Sequence, residues 1–325
     1  MKAIFLKEHG TIGVLQYGDF AEPALEPKQV RVRVLACSLN YHDVFTRRGM
    51  PGIKVPLPMI PGCDCAGEII EMAGEVEGWS LGDRVLVDPV ERGEGRFRFI
   101  GDNALGAYAE SVTVGASTLI ALPSEVTPEL AATLPVAYGT SQRMLITRAE
   151  LKQGETVLIL GASGGVGTSS LLLAKMLGAT VVAAAGTDEK CARLAELGAD
   201  ETINYTTTDF ASYCREHTGG GLMAGGGYDV VVNFTGGDTW SKSLRCVKHG
   251  GRLLTCGATA GFDPQTDIRY IWSAEMDIRG SNGWTRQGLV DLLELVSSGR
   301  LEPVIDRIVP LPEGIEAHRA LEERR

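Results

Sequence analysis

The clearest chemical signal in the sequence is a glycine-rich run between an apolar segment and a helical one. The apolar segment ends at Leu160, and the run that follows reads Gly161-Ala162-Ser163-Gly164-Gly165-Val166-Gly167. Residues without Cβ let a chain approach a pyrophosphate, whose charge is met by free N–H groups and the positive end of the helix dipole. The run therefore predicts a dinucleotide-binding loop, with a tight structural turn as the alternative. The predicted contacts are Ser163, Gly164, Gly165, Val166 and Gly167.

The choice of dinucleotide is usually made about 20 to 25 residues further on, at the end of the second strand. An acid there binds the ribose 2′-hydroxyl of NAD, whereas cations accommodate the 2′-phosphate of NADP. Here Thr187 offers a hydroxyl, Lys190 and Arg193 offer positive charge, and Asp188 is expected to cap the next helix. Tyr205 either packs on the adenosine side or is an edge aromatic. We predict NADPH; the alternative is that the cations only form a solvated helix face.

Strands and helices alternate around this loop. Continuous apolar strands separated by helices indicate a parallel sheet that is covered on both faces. The pattern predicts a doubly wound domain with strands at 155–160, 179–185, 229–233 and 251–255, and helices at 166–177 and 189–197.

The first 120 residues have a different hydrophobic pattern from the rest of the chain. Stretches 30–34 and 108–114 alternate with period two, 84–88 is a short apolar run, and glycine and proline separate them, which predicts an antiparallel β-rich domain. Amphipathic helices at 287–298 and 315–323 flank an apolar stretch and suggest a return to that domain. The predicted domains are a β-rich one at 1–124, a nucleotide-binding one at 125–275, and an edge strand with the return at 276–325.

Composition excludes several classes of protein. The chain has 325 residues, 44% of them hydrophobic, and a net charge of −10, which is not the basic footprint that nucleic acid requires. No apolar run approaches the roughly 18 residues of a membrane span, and the first residues are charged too early for a signal peptide. The seven cysteines are scattered and odd in number, which favours reduced thiols. A cytosolic protein with a small-molecule partner is expected.

A set of ordered motifs resembles the medium-chain dehydrogenase/reductase superfamily over nearly the whole chain. The resemblance implies a GroES-like catalytic domain split around a Rossmann domain, an α/β architecture. The motifs are Pro61-Gly62-x-Asp64-x-Ala66-Gly67-Glu68, Gly82-Asp83-Arg84-Val85, Gly106-Ala107-Tyr108-Ala109-Glu110, Ala132-Thr133-Leu134-Pro135, the glycine run, Leu197-Gly198-Ala199-Asp200 and Gly250-Gly251-Arg252-Leu253.

Departures from the zinc alcohol dehydrogenases make the sequence more similar to the zinc-lacking quinone oxidoreductase and enoyl reductase branch. Where those enzymes carry a ligating Cys, His and Cys, this chain has Asn40, Cys63 and Val136, and the four cysteines of their structural zinc lobe are absent from residues 89–106. We expect no metal, since catalytic zinc needs three protein ligands. Quinones and α,β-unsaturated carbonyls accept hydride with help from hydrogen-bond donors alone, so reduction is the expected direction.

In the enoyl reductases that this chain resembles, an Asn-Tyr pair lies beside the nicotinamide. The resemblance implies that Asn40 and Tyr41 orient the acceptor and that either Tyr41 or His42 donates the proton. The alternative is that these groups satisfy the backbone of a turn, which is the expected role of Asp43. Arg47, with its neighbour Arg48, is either a site for an anionic substrate or surface charge. The later tyrosine of the mitochondrial-type enzymes is replaced by Met50-Pro51.

The resemblance also places residues at the nicotinamide end and at a subunit interface. Trp284 either closes the acceptor pocket or is a core aromatic. The family commonly dimerises through an edge strand of the Rossmann sheet, here 276–280, so a homodimer is expected. The residues implied at the nicotinamide are Tyr138, Thr140, Gly257, Ala258 and Asn282.

Three functions stay open on the sequence. The favoured one is an NADPH-dependent, zinc-independent oxidoreductase that acts on a quinone or an activated C=C bond. The rivals are an alcohol or aldehyde dehydrogenase with a degenerate metal site that uses Cys63, and a non-catalytic nucleotide-binding protein of the crystallin kind. Relatives usually continue with a further strand beyond the point where this chain ends, at Arg325, so we expect a catalytic sheet without that strand or a shortened sequence.

Overall fold

The computed structural model describes residues 1–50, 54–93, 96–221 and 224–325. The chain forms two compact units, one made of Met1–Val136 with Leu289–Arg325 and the other of Ala137–Gly288. The predicted boundaries lay at residues 124 and 275. The first unit extends to Val136 because helix α2 (Pro128–Ala132) packs against strands of its sheet.

The first unit is built on an antiparallel sheet. Within the described residues its strand order is β8-β3-β4-β5-β9, with hairpins β1-β2 and β6-β7 beside it. Val30 and Val32 of β3 are fully buried, whereas Arg33 and Leu35 are exposed. The period-two pattern therefore faces the core as predicted. The strands are β1 (Lys2–Phe5), β2 (Gln16–Asp19), β3 (Gln29–Ser38), β4 (Asp64–Met72), β5 (Arg84–Val87), β6 (Val90–Gly93), β7 (Arg96–Phe99), β8 (Ser111–Gly115) and β9 (Leu119–Ala121).

The second unit is a parallel sheet covered by helices. Its order in the described part of the chain is β12-β11-β10-β13-β14-β15, and every pair of neighbours is parallel. Buried side chains such as Leu158, Val182 and Leu253 form its core. This confirms the doubly wound domain. The strands are β10 (Thr156–Leu160), β11 (Thr180–Ala185), β12 (Glu201–Asn204), β13 (Tyr228–Val232), β14 (Val247–Thr255) and β15 (Asp277–Gly280).

The helices complete both units. π-helical turns at Leu134–Gly139 and Arg143–Arg148 flank the short α3. None of the helices in the described residues has the length and apolarity to cross a membrane. The helices are α1 (Tyr41–Arg48), α2, α3 (Thr140–Gln142), α4 (Gly165–Met176), α5 (Asp188–Glu196), α6 (Phe210–His217), α7 (Asp238–Ser243), α8 (Ile268–Ser273), α9 (Arg286–Ser297) and α10 (Gly314–Glu322).

Candidate active site

Asp43 organises the start of α1. Its carboxylate accepts hydrogen bonds from the Asn40 N–H at 2.7 Å, the Gly62 N–H at 3.1 Å and the Tyr108 hydroxyl at 2.7 Å. Asp43 is fully buried, and burial, followed by the charge of Asp43, raises the pKa of the Tyr108 phenol well above its ordinary value. Asp43 therefore has the structural role expected for it, because it links α1 to the loop that carries Gly62.

Asp64 is a second buried carboxyl beside this helix start. It accepts hydrogen bonds from the Ser38 hydroxyl and the Asn40 side-chain amide, both at 3.0 Å, and from the Val136 N–H at 3.2 Å. Burial raises its pKa to about 7, against the lowering effect of these donors. Asp64 thus fixes the orientation of the Asn40 amide. Its motif was recognised in the sequence, but no role was assigned to it.

The side chains of Tyr41 and His42 lie on aromatic neighbours. The Tyr41 ring meets Phe45 edge-on, with centroids 5.2 Å apart. The imidazole of His42 stacks on Phe99 at 4.9 Å, and its Nε2 lies 3.5 Å from Asp102 Oδ2. The structure therefore brings Asn40, Tyr41 and His42 together at one helix start. Asp102 follows strand β7 in a loop, and no pattern in the sequence marked it.

The residues at the zinc-ligand positions do not fit a zinc site. Asn40 offers a neutral amide that is already bound to Asp64, and Val136 has no ligating atom in its side chain. The Cys63 sulfur is fully buried and 3.6 Å from Asp43 Oδ1, and burial, with the charges of Asp43 and Asp64, raises its pKa well above the ordinary value. Of these three positions, Cys63 alone has a side chain that could bind zinc, whereas a catalytic zinc site needs three protein ligands. The described residues contain no group of three or more His, Cys, Asp or Glu placed to hold a metal ion.

Two arginines of α1 are not free to bind an anionic substrate as a pair. Arg47 is fully buried, and its guanidinium donates to both carboxylate oxygens of Glu322 at 2.8 and 2.7 Å. Arg48 also contacts Glu322. The suggestion that Arg47 binds a substrate carboxylate or phosphate is therefore wrong, because its guanidinium is buried and already paired with a carboxylate from α10. Met50 lies just after α1, and Pro51 lies outside the described residues.

The glycine loop of the second unit fits a dinucleotide. Gly161 has φ of +67°, which turns the chain at the end of β10, and Ser163, Gly164 and Gly165 are exposed at the start of α4. Among the residues that the structure describes, no side chain caps this helix, so its first N–H groups are available to a ligand. A Cβ at Gly167 would lie 2.5 Å from both Ala162 Cα and the Gly161 carbonyl oxygen, so this glycine permits close packing of α4 against the loop. Val166 lies between Gly165 and Gly167 in the first turn of α4.

Three of the predicted cofactor residues meet beyond β11 and β12. Thr187 caps α5 by accepting a hydrogen bond from the Lys190 N–H at 3.2 Å. The Tyr205 N–H binds the carbonyl of the last residue of β11, and its phenol oxygen would be 3.0 Å from a Cβ at Gly186. The expectation that Asp188 caps this helix is wrong, because its carboxylate instead accepts a hydrogen bond from Asn204 at 2.7 Å.

A cavity of about 130 Å³ lies next to Tyr205 within the second unit. Its walls come from the ends of β10, β12 and β13 and from the starts of α6 and α7. Most of these side chains were missed, since they lie in connections without a recognisable motif. They are Leu160, Gly161, Tyr205, Asp209, Phe210, Thr235, Asp238, Thr239 and Lys242.

The residues expected at the nicotinamide follow two adjacent parallel strands. Thr255 pairs with Gly280 at the ends of β14 and β15, so Gly257, Ala258 and Asn282 all follow at the same edge of the sheet. Asn282 is exposed. Next to it, the hydroxyl of Ser281 is buried without a hydrogen-bond partner in the described part of the chain. Of the other residues implied for this end of the cofactor, Tyr138, Thr140 and Trp284 are buried.

Comparisons with known proteins place this arrangement in a family. Residues 26–124 match the family described as Alcohol dehydrogenase GroES-like domain, and residues 165–298 match the one described as Zinc-binding dehydrogenase. The quinone oxidoreductase of Pseudomonas aeruginosa is 30% identical, with 100% of this chain and 97% of that protein covered. Quinone oxidoreductase-like protein 2 of Mus musculus is 33% identical over 75% of this chain, and the match spans 64% of that protein.

Two solved structures cover all of this chain. An NAD-dependent alcohol dehydrogenase has a TM-score of 0.91 and 33% identity, with 97% of its chain covered. The 2-octenoyl-CoA carboxylase reductase CinF, in complex with NADP and 2-octenoyl-CoA, has a TM-score of 0.87 and 28% identity, with 85% covered. The GroES-like and Rossmann-type units expected from the sequence are confirmed. The chain belongs to the medium-chain dehydrogenase/reductase superfamily, in its quinone oxidoreductase branch.

Proposed function

We propose that this protein is an NADPH-dependent, zinc-independent oxidoreductase that reduces a quinone or an activated C=C bond. The observation that carries the proposal is the polar cluster of Asn40, Tyr41 and His42, together with described residues at the zinc-ligand positions that do not supply the three ligands of a zinc site. Reduction of an electron-poor acceptor needs hydrogen-bond donors and a proton rather than a Lewis acid. NADPH supplies a hydride to such an acceptor.

The preference for NADPH is supported at the end of β11. Lys190 provides a cation and Thr187 a hydroxyl at the start of α5, and Tyr205 follows the neighbouring strand β12. The last residue of β11 is Ala185 rather than an acid that would favour NAD. Asp188 is engaged with Asn204 instead. The similar structure of CinF contains NADP, which supports the same preference.

Within the first unit, the residues have separable tasks. Asp64 holds the Asn40 amide, which would orient the acceptor's carbonyl oxygen by hydrogen bonding. Tyr41 and His42 carry the groups that can donate a proton to the reduced acceptor. Asp43 keeps the start of α1 attached to the loop at Gly62.

Similarity to an NAD-dependent alcohol dehydrogenase favours a second candidate function, the oxidation of an alcohol. Oxidation of an alcohol in this superfamily uses zinc to stabilise an alkoxide, and Cys63 would have to be a ligand for it. Cys63 has no second ligand at the two matching positions, because the Asn40 amide is bound to Asp64 and Val136 has no ligating atom, which disfavours that reaction.

A substrate panel tests the proposal. Consumption of NADPH is followed with a quinone, an α,β-unsaturated aldehyde, a short enoyl-CoA and a saturated aldehyde, and NADH is compared with NADPH for the best acceptor. We expect turnover of quinone or alkene with NADPH, and a Lys190→Ala variant should lose affinity for NADPH but not for NADH. Turnover of the saturated aldehyde alone, or stoichiometric zinc in the purified protein, would refute the proposal. NADPH binding without any turnover would favour the non-catalytic, crystallin-like alternative.

We also propose that two copies associate through the outer edge of β15, the last strand of the parallel sheet. Apolar side chains are exposed on this strand and on the segment before it, with Ile278 at 38% exposure and Trp272 at 68%. An edge strand with apolar neighbours is a ready template for pairing with another chain.

A further inference from the structure

His42 is held by two groups from the segment that contains β7. Its ring stacks on Phe99 with an interplanar angle of 26°, and Nε2 lies 3.5 Å from Asp102 Oδ2. In the described residues neither His42 Nε2 nor Asp102 Oδ1 has a hydrogen-bond partner, although both atoms are buried. Unpaired polar atoms are costly in a protein interior. The ion pair between the imidazole of His42 and the carboxylate of Asp102 offsets part of this cost.

This contact also orients the ring. Stacking fixes the imidazole plane, and the approach of Asp102 to Nε2 directs Nδ1 away from the carboxylate. No residue in the described part of the chain hydrogen bonds to Nδ1 of His42, and the side chain keeps 23% exposure. The ring is therefore anchored through one nitrogen and open at the other, which is the arrangement that a proton donor requires.

The surrounding charge favours the imidazolium. Burial by itself lowers the pKa of His42, but the net direction is upward because Asp102, Asp43 and Asp64 stabilise the positive charge. These carboxyl groups face His42 from the loop after β7, from its own helix and from β4. Tyr41, the other candidate donor, packs on Phe45 and has no carboxylate partner in the described residues.

We propose that His42 is the proton donor of the reaction and that Asp102 is the residue that positions it. The inference rests on the proposed function and selects His42 over Tyr41. In the step, a hydride and its electron pair, which bound NADPH would supply by breaking a nicotinamide C–H bond to leave NADP⁺, form a C–H bond on an alkene carbon or an O–H bond on a quinone oxygen. The enolate or phenolate that results then takes the proton of His42 Nδ1, whose N–H bond breaks. The neutral imidazole keeps its proton on Nε2 towards Asp102, and solvent restores the proton on Nδ1.

The test combines kinetics with a titration that does not depend on turnover. The pH dependence of kcat with the best acceptor is measured for the wild type and for Asp102→Asn, His42→Gln and Tyr41→Phe. In parallel, the imidazole resonances of the five histidines are titrated by NMR, and His42→Gln assigns the signal of His42. Asp19→Asn, which removes an exposed carboxylate of the first unit, is the control for loss of charge.

The expected results are specific. In the wild type kcat declines towards high pH with a midpoint that matches the titration of His42, and Asp102→Asn moves both to lower pH and reduces kcat about 10-fold. His42→Gln removes this dependence and reduces kcat about 100-fold. Tyr41→Phe and Asp19→Asn leave the midpoint in place.

Two outcomes overturn the inference without involving the proposed function. One is an active wild type whose kinetic midpoint differs from the titration of His42, which needs no variant to fold. The other is a midpoint that moves in Tyr41→Phe but not in Asp102→Asn. If the wild type instead reduces none of the acceptors, the proposed function fails, and the titration still reports whether Asp102 acts on His42.

Discussion

Asp64 shows how a single residue can link stability to the site. Its carboxyl has no exposed surface, and it receives hydrogen bonds from Ser38, Asn40 and Val136. The donors favour the charged form, but burial outweighs them and raises the pKa from 3.8 to about 7. The folded protein therefore retains a proton on Asp64 at a pH where the unfolded chain has lost it.

This shift predicts a pH-dependent effect of Asp64→Asn. Between about pH 4 and 7 the folded state binds more protons at this position than the unfolded state, so the contribution of Asp64 to stability falls as the pH rises, by up to about 1.4 kcal/mol per pH unit. The stability of Asp64→Asn relative to the wild type should therefore increase over that window. Urea unfolding at several pH values measures the difference, and a difference that stays flat would show that Asp64 is ionised in the folded protein.

At the scale of elements, two glycines at the start of α4 serve different purposes: Gly167 allows close packing, and Gly164 leaves room for a ligand. Gly167 faces the preceding loop, where an added Cβ would be 2.5 Å from Ala162 Cα. At Gly164 an added Cβ would meet its nearest atom, the Gly161 carbonyl oxygen, at 3.6 Å, an ordinary contact. Two glycines of one motif thus have different physical reasons to be glycine.

We predict that Gly164→Ala weakens cofactor binding, whereas Gly167→Ala lowers the stability of the fold. Gly164→Ala should keep the melting temperature of the wild type and weaken NADPH binding at least about 10-fold, because its methyl group occupies the surface that the pyrophosphate approaches. Gly167→Ala should lower stability by about 1–3 kcal/mol, since the helix must move away from the loop. Calorimetric titration with NADPH measures the affinity of each variant, and thermal unfolding measures its stability. Equal losses of stability in both would contradict it.

Helices α1 and α10 are joined by an ion pair that involves Arg47 and Glu322. Arg47 is fully buried, and the hydrogen bonds from Arg47 lower the pKa of Glu322 from 4.5 to about 2, with burial opposing them and Arg48 adding to the effect. α10 thereby anchors the helix that begins with Tyr41 and His42. The last helix of the chain supports the candidate site from a distance in sequence of more than 270 residues.

Glu322→Gln should destabilise the protein by about 3 kcal/mol at neutral pH, because it leaves the Arg47 charge buried without a counterion. A depressed carboxyl pKa contributes stability above the unfolded value and loses it as the pH falls, so the difference should shrink between pH 4.5 and about 2. Glu323→Gln is the matched control, since its side chain is 51% exposed and should change stability by less than about 0.5 kcal/mol. Chemical denaturation at both ends of this range measures the effect, and equal losses in the two variants would exclude the ion pair as the cause.

At the scale of the whole molecule, exposed apolar side chains are concentrated between β14 and the end of β15. Phe262, Ile268 and Trp272 are exposed by 73%, 66% and 68%, and Ile278 lies on the edge strand itself. The net charge of −10 disfavours random association of copies, so contact needs a specific apolar surface.

We predict that the protein is a dimer and that Ile278→Lys produces monomers, because a charge on the edge strand opposes pairing. Sedimentation equilibrium gives the mass of each species. Leu35→Lys is the control, since Leu35 is similarly exposed, at 45%, on a strand of the other unit. A monomeric wild type, or dissociation by both variants, would contradict the prediction.

The sequence by itself determined the features that depend on local patterns. Apolar periodicity gave the parallel strands around β10, and the glycine run gave the loop before α4, because both follow from neighbours along the chain. The ordered motifs then identified the family.

Only the tertiary structure decided which distant side chains meet. Asp102 reaches His42 across a loop, Glu322 reaches Arg47 from the last helix, and Asp64 reaches Asn40 across a pair of strands. Burial and charge at these positions depend on contacts between residues far apart in sequence, so periodicity and propensity carry no information about them. The pKa values on which the proposed chemistry depends are therefore properties of the fold, whereas the loop that binds the cofactor is a property of the sequence.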